Sequence, residues 1–190
     1  MRILSAEATL IARDYANIRG SVATPGFMED AVKSIVKDHK VKELRVLDSD
    51  ELQKQGMNLF YNVGKAAESQ PRCVIVHYQG NPESTEIDFA LVGKGITYDT
   101  GGLNLKPGGS MTTMYGDKGG ACAVMGALHS TLKMKSDKNI IFACAFAENS
   151  IGSRAYKPGD IIKSMNGLTV EIGNTDAEGR LILADTITYV

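Results

Sequence analysis

Three continuous apolar runs, residues 73–78, 89–92 and 140–147, constrain this chain more than any other feature. None alternates polar with apolar residues, so none suits a strand with one wet face; continuous runs of this kind belong to strands covered on both sides. Between the last two lies an alanine-rich stretch, 119–132, with Val124, Leu128 and Leu132 at helical spacing. Its small residues let such a helix pack closely on a sheet. Strand, helix and strand in that order predict a three-layer α/β unit.

The remaining pattern is consistent with that unit. Residues 1–19 read as a helix with Leu4, Ala8, Ile11, Ala12 and Tyr15 along one side, and 27–40 as a second, with Phe27, Ala31, Ile35 and Val36. A loop, 21–26, joins them. Residues 41–47 form a strand candidate, after which Asp48, Ser49 and Asp50 offer a cap for a short helix over 51–55. Gly167 turns a hairpin within 161–172, and 181–190 begins a helix that the chain ends before completing.

Composition removes several classes of function. A chain of 190 residues can bury one core. Its 21 basic and 22 acidic residues leave no basic excess for a nucleic-acid footprint. Its apolar runs fall short of a membrane span, and the start carries no signal-peptide pattern. Cys73, Cys122 and Cys144 are odd in number and sit among apolar residues, which predicts buried free thiols and a reducing, cytoplasmic setting.

Chemistry concentrates in two places. Lys94, Asp99, Lys106 and Asp117 lie in glycine-rich sequence after the second apolar run, where open α/β sheets place their ligands. Asp176, Glu178 and Arg180 alternate within 174–180; an extended backbone would point all three to one side. Each residue also has a plainer reading. Asp99 can form a turn, Asp117 can cap the helix at 119, Lys94 can pair with Asp99, and 174–180 can be a surface turn in which Asp176 caps a helix and Glu178 pairs locally with Arg180. Gly93 and Gly95 lack the third glycine of a dinucleotide motif, and no phosphate-loop lysine follows, so nucleotide binding is not supported.

Taken together, Asp99, Asp117, Asp176 and Glu178 carry four negative charges, which two divalent ions neutralise. Lys94 can join them only as a neutral amine, its pKa depressed by a nearby metal. Two ions about 3.5–4 Å apart can share a water and lower its pKa. Lys106 and Arg180 then remain as cations for a developing oxyanion. His39, His77 and His129 fall on predicted surface or structural positions. An oxygen-rich cage of this kind suits zinc, manganese, cobalt or magnesium. Metal-assisted hydrolysis is the chemistry these residues predict, with a phosphatase or amidase still open beside a peptidase.

Several spaced motifs in order resemble those of the leucyl (cytosol) aminopeptidase family of dinuclear metallopeptidases. Asn174-Thr175-Asp176-Ala177-Glu178-Gly179-Arg180 matches that family's signature, and 92–102, Lys106, Asp117, Glu148-Asn149 and 157–160 fall in its pattern. The resemblance implies a mixed-sheet α/β catalytic domain of the leucyl aminopeptidase type, incomplete at its C-terminus. It implies lead-in helices and first strands over 1–88 and a metal-binding region over 89–190, without the family's N-terminal domain. It implies metal ligation by Lys94, Asp99, Asp117, Asp176 and Glu178, carbonyl polarisation by Lys106, and a bicarbonate base held by Arg180. It further implies peptide substrates with a free N-terminus and an apolar first residue such as leucine, and a cytoplasmic homohexamer. A truncated, non-catalytic subunit that keeps the metal site is the competing expectation. Lys118 stands where that family usually has methionine, which places an extra cation beside Asp117 and predicts a local change in metal affinity.

Overall fold

The computed structural model describes residues 2–190; Met1, the first residue of the expected leading helix, lies outside the described residues. The sheet core is built on the three apolar runs. Strands β1 (Glu43–Leu47), β2 (Arg72–Gln79), β3 (Phe89–Asp99) and β4 (Asn139–Asn149) lie in the order β1-β2-β4-β3. β1 and β4 each run antiparallel to β2, while β3 runs parallel to β4, so the sheet is mixed. The parallel pair is joined by the alanine-rich helix, as the strand–helix–strand pattern predicts.

Helices α1 (Arg2–Asn17) and α2 (Pro25–Val36) cover one face together with α5 (Gly119–Met134). Val74, Val76, Phe142, Cys144 and Phe146 meet Met28, Val32, Cys122, Met125 and Leu128 there. The other face is covered by α3 (Ser49–Lys54), α4 (Asn58–Gly64) and α6 (Glu178–Tyr189), with Leu52, Leu59, Phe60, Leu181 and Ile182 packed on Cys73, Ile75, Ala143 and Ala145. Burial on both faces explains why the strands read as continuous apolar runs. A small hairpin, β5 (Ile161–Lys163) and β6 (Thr169–Glu171), turns at Gly167.

Local chemistry sets the helix starts. Thr24 caps α2 through its hydroxyl, which accepts from Phe27 N, and Pro25 occupies the first turn. Asp48 caps α3 by accepting from Asp50 N and Glu51 N, both at 3.0 Å. The buried Asp185 carboxylate accepts from Phe60 N at 3.0 Å and Met165 N at 2.9 Å, which ties α6 to α4 and the hairpin. Burial raises its pKa against the pull of those amides.

The elements depart from the sequence expectations at several points. α4 is an added helix, its start without a side-chain cap to announce it. Residues Gly108–Gly116, for which no element was expected, form a 3-10 helix. Asp117 ends that segment and does not cap α5; Lys118 precedes the helix, and no side chain caps it. β3 continues well past Val92. There Gly93 lets α5 approach, since a Cβ at that position would lie 2.5 Å from Ala121 Cα.

Candidate metal centre

Two residues five apart on one strand should face opposite sides of a sheet. Lys94 and Asp99 nevertheless reach the same cluster, because β3 carries an irregularity between Ile96 and Asp99. Ile96 pairs with Ala147 but Asp99 pairs with Asn149, so one extra residue is absorbed in β3. Ile96 packs on the α6 side, Tyr98 turns against Gly20 near the end of α1, and Asp99 returns to the α6 side. The site sits beside that bulge.

The second half comes from the start of α6. Residues 174–180 are not extended, as the sequence reading required. Asn174 accepts from Asp176 N at 2.7 Å, and Thr175–Ala177 form a 3-10 turn that runs into α6. Capping chemistry of this kind overrides the extended path. Asp176 and Glu178 therefore sit at a helix N-terminus, where the peptide dipoles favour negative charge. Arg180 is separated from Glu178 by about 200° of helical rotation. It is exposed and has no ion-pair partner among the described residues. The expected one-sided alignment of 176, 178 and 180 is thereby corrected.

Asp99, Asp176 and Glu178 each offer an oxygen within 4.8 Å of the others. Lys106 Nζ lies 2.9 Å from Asp99 Oδ2 and 2.6 Å from Asp176 Oδ1. Lys94 Nζ lies 2.8 Å from Glu178 Oε1 and 2.9 Å from Asp117 Oδ2, so Asp117 stands outside the close trio and joins it through Lys94. Gly179 makes room for that lysine; a Cβ there would lie 2.7 Å from Lys94 Cε. Lys94 does not pair with Asp99, and Glu178 does not pair with Arg180, so neither plainer reading of those residues holds.

Burial shapes the charges. It opposes the Lys94 ammonium, but the Glu178 and Asp117 carboxylates outweigh it and raise the pKa. Lys106 is likewise raised, against burial, by Asp176 and Asp99. Burial pushes the Glu178 and Asp117 carboxylates upward, and Lys94 pulls each partly back. Flanked only by its protein partners, Lys94 keeps its proton; the neutral-amine role expected of it needs a stronger cation nearby.

The donor set suits divalent ions. Asp99, Asp117, Asp176 and Glu178 against Lys94 and Lys106 leave an excess of two negative charges. Asp117 Oδ2 and Asp176 Oδ1 have an ammonium at ion-pair distance but receive no hydrogen bond of acceptable geometry, and Glu178 Oε2 has no partner at all. Buried carboxylate oxygens left so are costly unless a cation completes them.

Residues to which the sequence reading gave no role hold this arrangement. Asn149, fully buried at the end of β4, donates to Asp99 Oδ1 at 2.8 Å and to Thr175 O at 3.1 Å. Tyr156 donates to the same carbonyl at 2.7 Å. Thr175 gives its hydroxyl to Gly101 O at 2.6 Å and accepts from Asn104 N at 2.8 Å, while Asn104 Oδ1 accepts from Thr175 N. A threonine between Asn174 and Asp176, in a run of charges, was the available signal. Lys118 corrects another expectation: its ammonium points away from the carboxylates, into the carbonyls at the end of α1. Cys73, Cys122 and Cys144 are free and buried, as expected. The close trio contains no histidine.

Residues 10–190 match the catalytic-domain model of the cytosol aminopeptidase family. Among curated proteins, the chain is 46% identical over 185 residues to a probable cytosol aminopeptidase of Fusobacterium nucleatum, covering 97% of this chain and 38% of that protein. It is also 46% identical to one of Alkaliphilus oremlandii, covering 97% of this chain and 36% of the relative. Among solved structures, it superposes on a leucine aminopeptidase of Caenorhabditis elegans with a TM-score of 0.93 at 36% identity, covering 98% of this chain and 37% of that one. The chain thus spans well under half the length of the proteins it matches.

Proposed function

The chain belongs to the cytosol aminopeptidase family, and from that premise we propose that its carboxylate cage is the centre of a metal-dependent aminopeptidase. The observation that carries this reading is the meeting of Asp99, Asp176 and Glu178, from two distant segments, beside Lys94 and Lys106. Asp99, Asp117, Asp176, Glu178 and the Lys94 amine would hold two divalent ions, zinc or manganese by preference, with cobalt or magnesium able to substitute. Bound there, the ions would supply a water of lowered pKa and a Lewis acid for the scissile carbonyl.

The protein's own groups do the rest. Lys106 presents an ammonium between Asp99 and Asp176, placed to donate to the carbonyl oxygen as it gains negative charge. The carboxylates orient the free amino group of a peptide whose first residue is apolar, leucine by preference. Arg180, exposed on the first turn of α6, would hold a bicarbonate ion, which would supply a general base for the attacking water. Residues 89–190 form the metal-binding region and 1–88 the helices and strands that brace it. A cytoplasmic homohexamer completes the reading; no helix among the described residues is long and apolar enough to cross a membrane.

Leucyl-amide hydrolysis tests it. Activity should vanish on chelation, return with manganese or zinc, and disappear when the substrate amine is acetylated. Metal-loaded protein that cleaves acetylated and free substrates equally would exclude an aminopeptidase.

A further inference from the structure

Lys118 is fully buried, and its ammonium has no carboxylate partner among the described residues. It donates instead to main-chain carbonyls, Ile18 O at 2.8 Å, Ala16 O at 3.3 Å and Tyr115 O. The first two lie at the C-terminal end of α1, where unpaired carbonyls carry partial negative charge and favour a cation. The third lies in the 3-10 segment, two residues before Asp117. Arg19 makes the same link from outside, its guanidinium 3.9 Å from the centre of the Tyr115 ring.

This clamp adds to the packing of the segment against β3 and α1. None of Gly108–Gly116 is fully buried, and among the described residues its other long-range side-chain hydrogen bond runs from Tyr98 Oη to Met111 O at 3.2 Å. Asp117 follows directly, so its carboxylate is delivered by a stretch with no fully buried residue.

We propose that Lys118 is a positioning residue of the metal centre: by tying the Asp117 turn to the end of α1, it holds the Asp117 carboxylate beside Lys94 and Glu178 and sets the affinity of that side of the cage for a divalent ion. The proposal rests on the metallopeptidase reading only for the role of Asp117 as a ligand. Partners one step removed from a metal commonly change its affinity by about 10–100-fold.

The test is a thermodynamic cycle read by calorimetric titration of Mn2+ into the full chain, K118M, D117A and the double variant. K118M is expected to weaken binding about tenfold in the parent and less than about twofold once Asp117 is alanine. Equal loss in both backgrounds would mean general loosening and would overturn the proposal. So would unchanged affinity in a K118M protein with native circular dichroism. If K118M fails to fold, K118Q, which keeps a donor without the charge, is taken through the same cycle under the same criteria. A parent chain that binds no Mn2+ overturns the clamp and the metal site together. One that binds Mn2+ but cleaves no leucyl amide overturns the peptidase reading alone, and the cycle still decides Lys118.

Discussion

Residues 174–178 and residues 108–117 deliver carboxylates to one cage, yet they are held in opposite ways. The first segment is fixed several times over: Asn174 caps it, Asn149 and Tyr156 both donate to Thr175 O, and Thr175 is bonded to Gly101 and Asn104. The second has no fully buried residue before Asp117 and is tied by Tyr98, Lys118 and the Arg19–Tyr115 contact. The contrast teaches that a site of this kind needs one rigid wall, and that its opposite wall can be tied by a few bonds to main chain. A site fixed on one side can accept a substrate from the other.

The largest effect should come from the rigid wall. Glu178→Gln removes a carboxylate charge from the close trio and should weaken Mn2+ binding by more than about 100-fold, beyond the reach of outer partners. Calorimetry and leucyl-amide turnover read it, and a variant that binds as the parent does would remove Glu178 from the cage. Asn149→Ala comes next. It strips a buried donor from both Asp99 and Thr175 O, so unfolding stability should fall by about 1–3 kcal/mol in urea titrations. An unchanged midpoint would show that the wall is not braced there.

Tyr156 sharpens the comparison through pH. Its burial raises the phenol pKa above the ordinary 10.0. The folded state therefore keeps a proton that the unfolded chain releases, and the stability tied to it is complete below pH 10 and is lost as pH rises beyond. Tyr156→Phe should cost about 1 kcal/mol at neutral pH and flatten the alkaline decline. Thermal melts between pH 8 and 11 check both; equal slopes in parent and variant would refute the account. The smallest effect belongs to the loose wall. Tyr98→Phe should change global stability by no more than about 0.5 kcal/mol, yet speed proteolytic nicking within Gly108–Gly116. Nicking that begins instead within 174–178 would reverse the assignment of rigid and loose.

The layers and the site were not equally legible in the sequence. Continuous apolar runs announced β2, the first part of β3, and β4, and valine and leucine at helical spacing announced α5, because burial on both faces leaves a direct compositional trace. The carboxylates could be named from residue type and motif. Their placement could not be read, because it depends on hydrogen bonds that leave no periodic signal. Asn174 turns 174–178 into a helix start, Thr175 joins it to Gly101 and Asn104, and Lys118 turns toward α1 instead of the cage. The 3-10 segment was missed for the same reason. None of its residues is fully buried, so no hydrophobic pattern marks it.

The extra residue between Ile96 and Asp99 has a consequence for how such a centre could be dismantled. It is a phase slip of a single position. Drawing Thr97 into the ladder would restore strict alternation and exchange the destinations of the two residues that follow, sending a phenol toward the lysines and a carboxylate toward the carbonyls that end α1, whereas deleting it would leave both where they are. Every donor would still be encoded and the strand would still pair, yet the centre would be lost through a miscount.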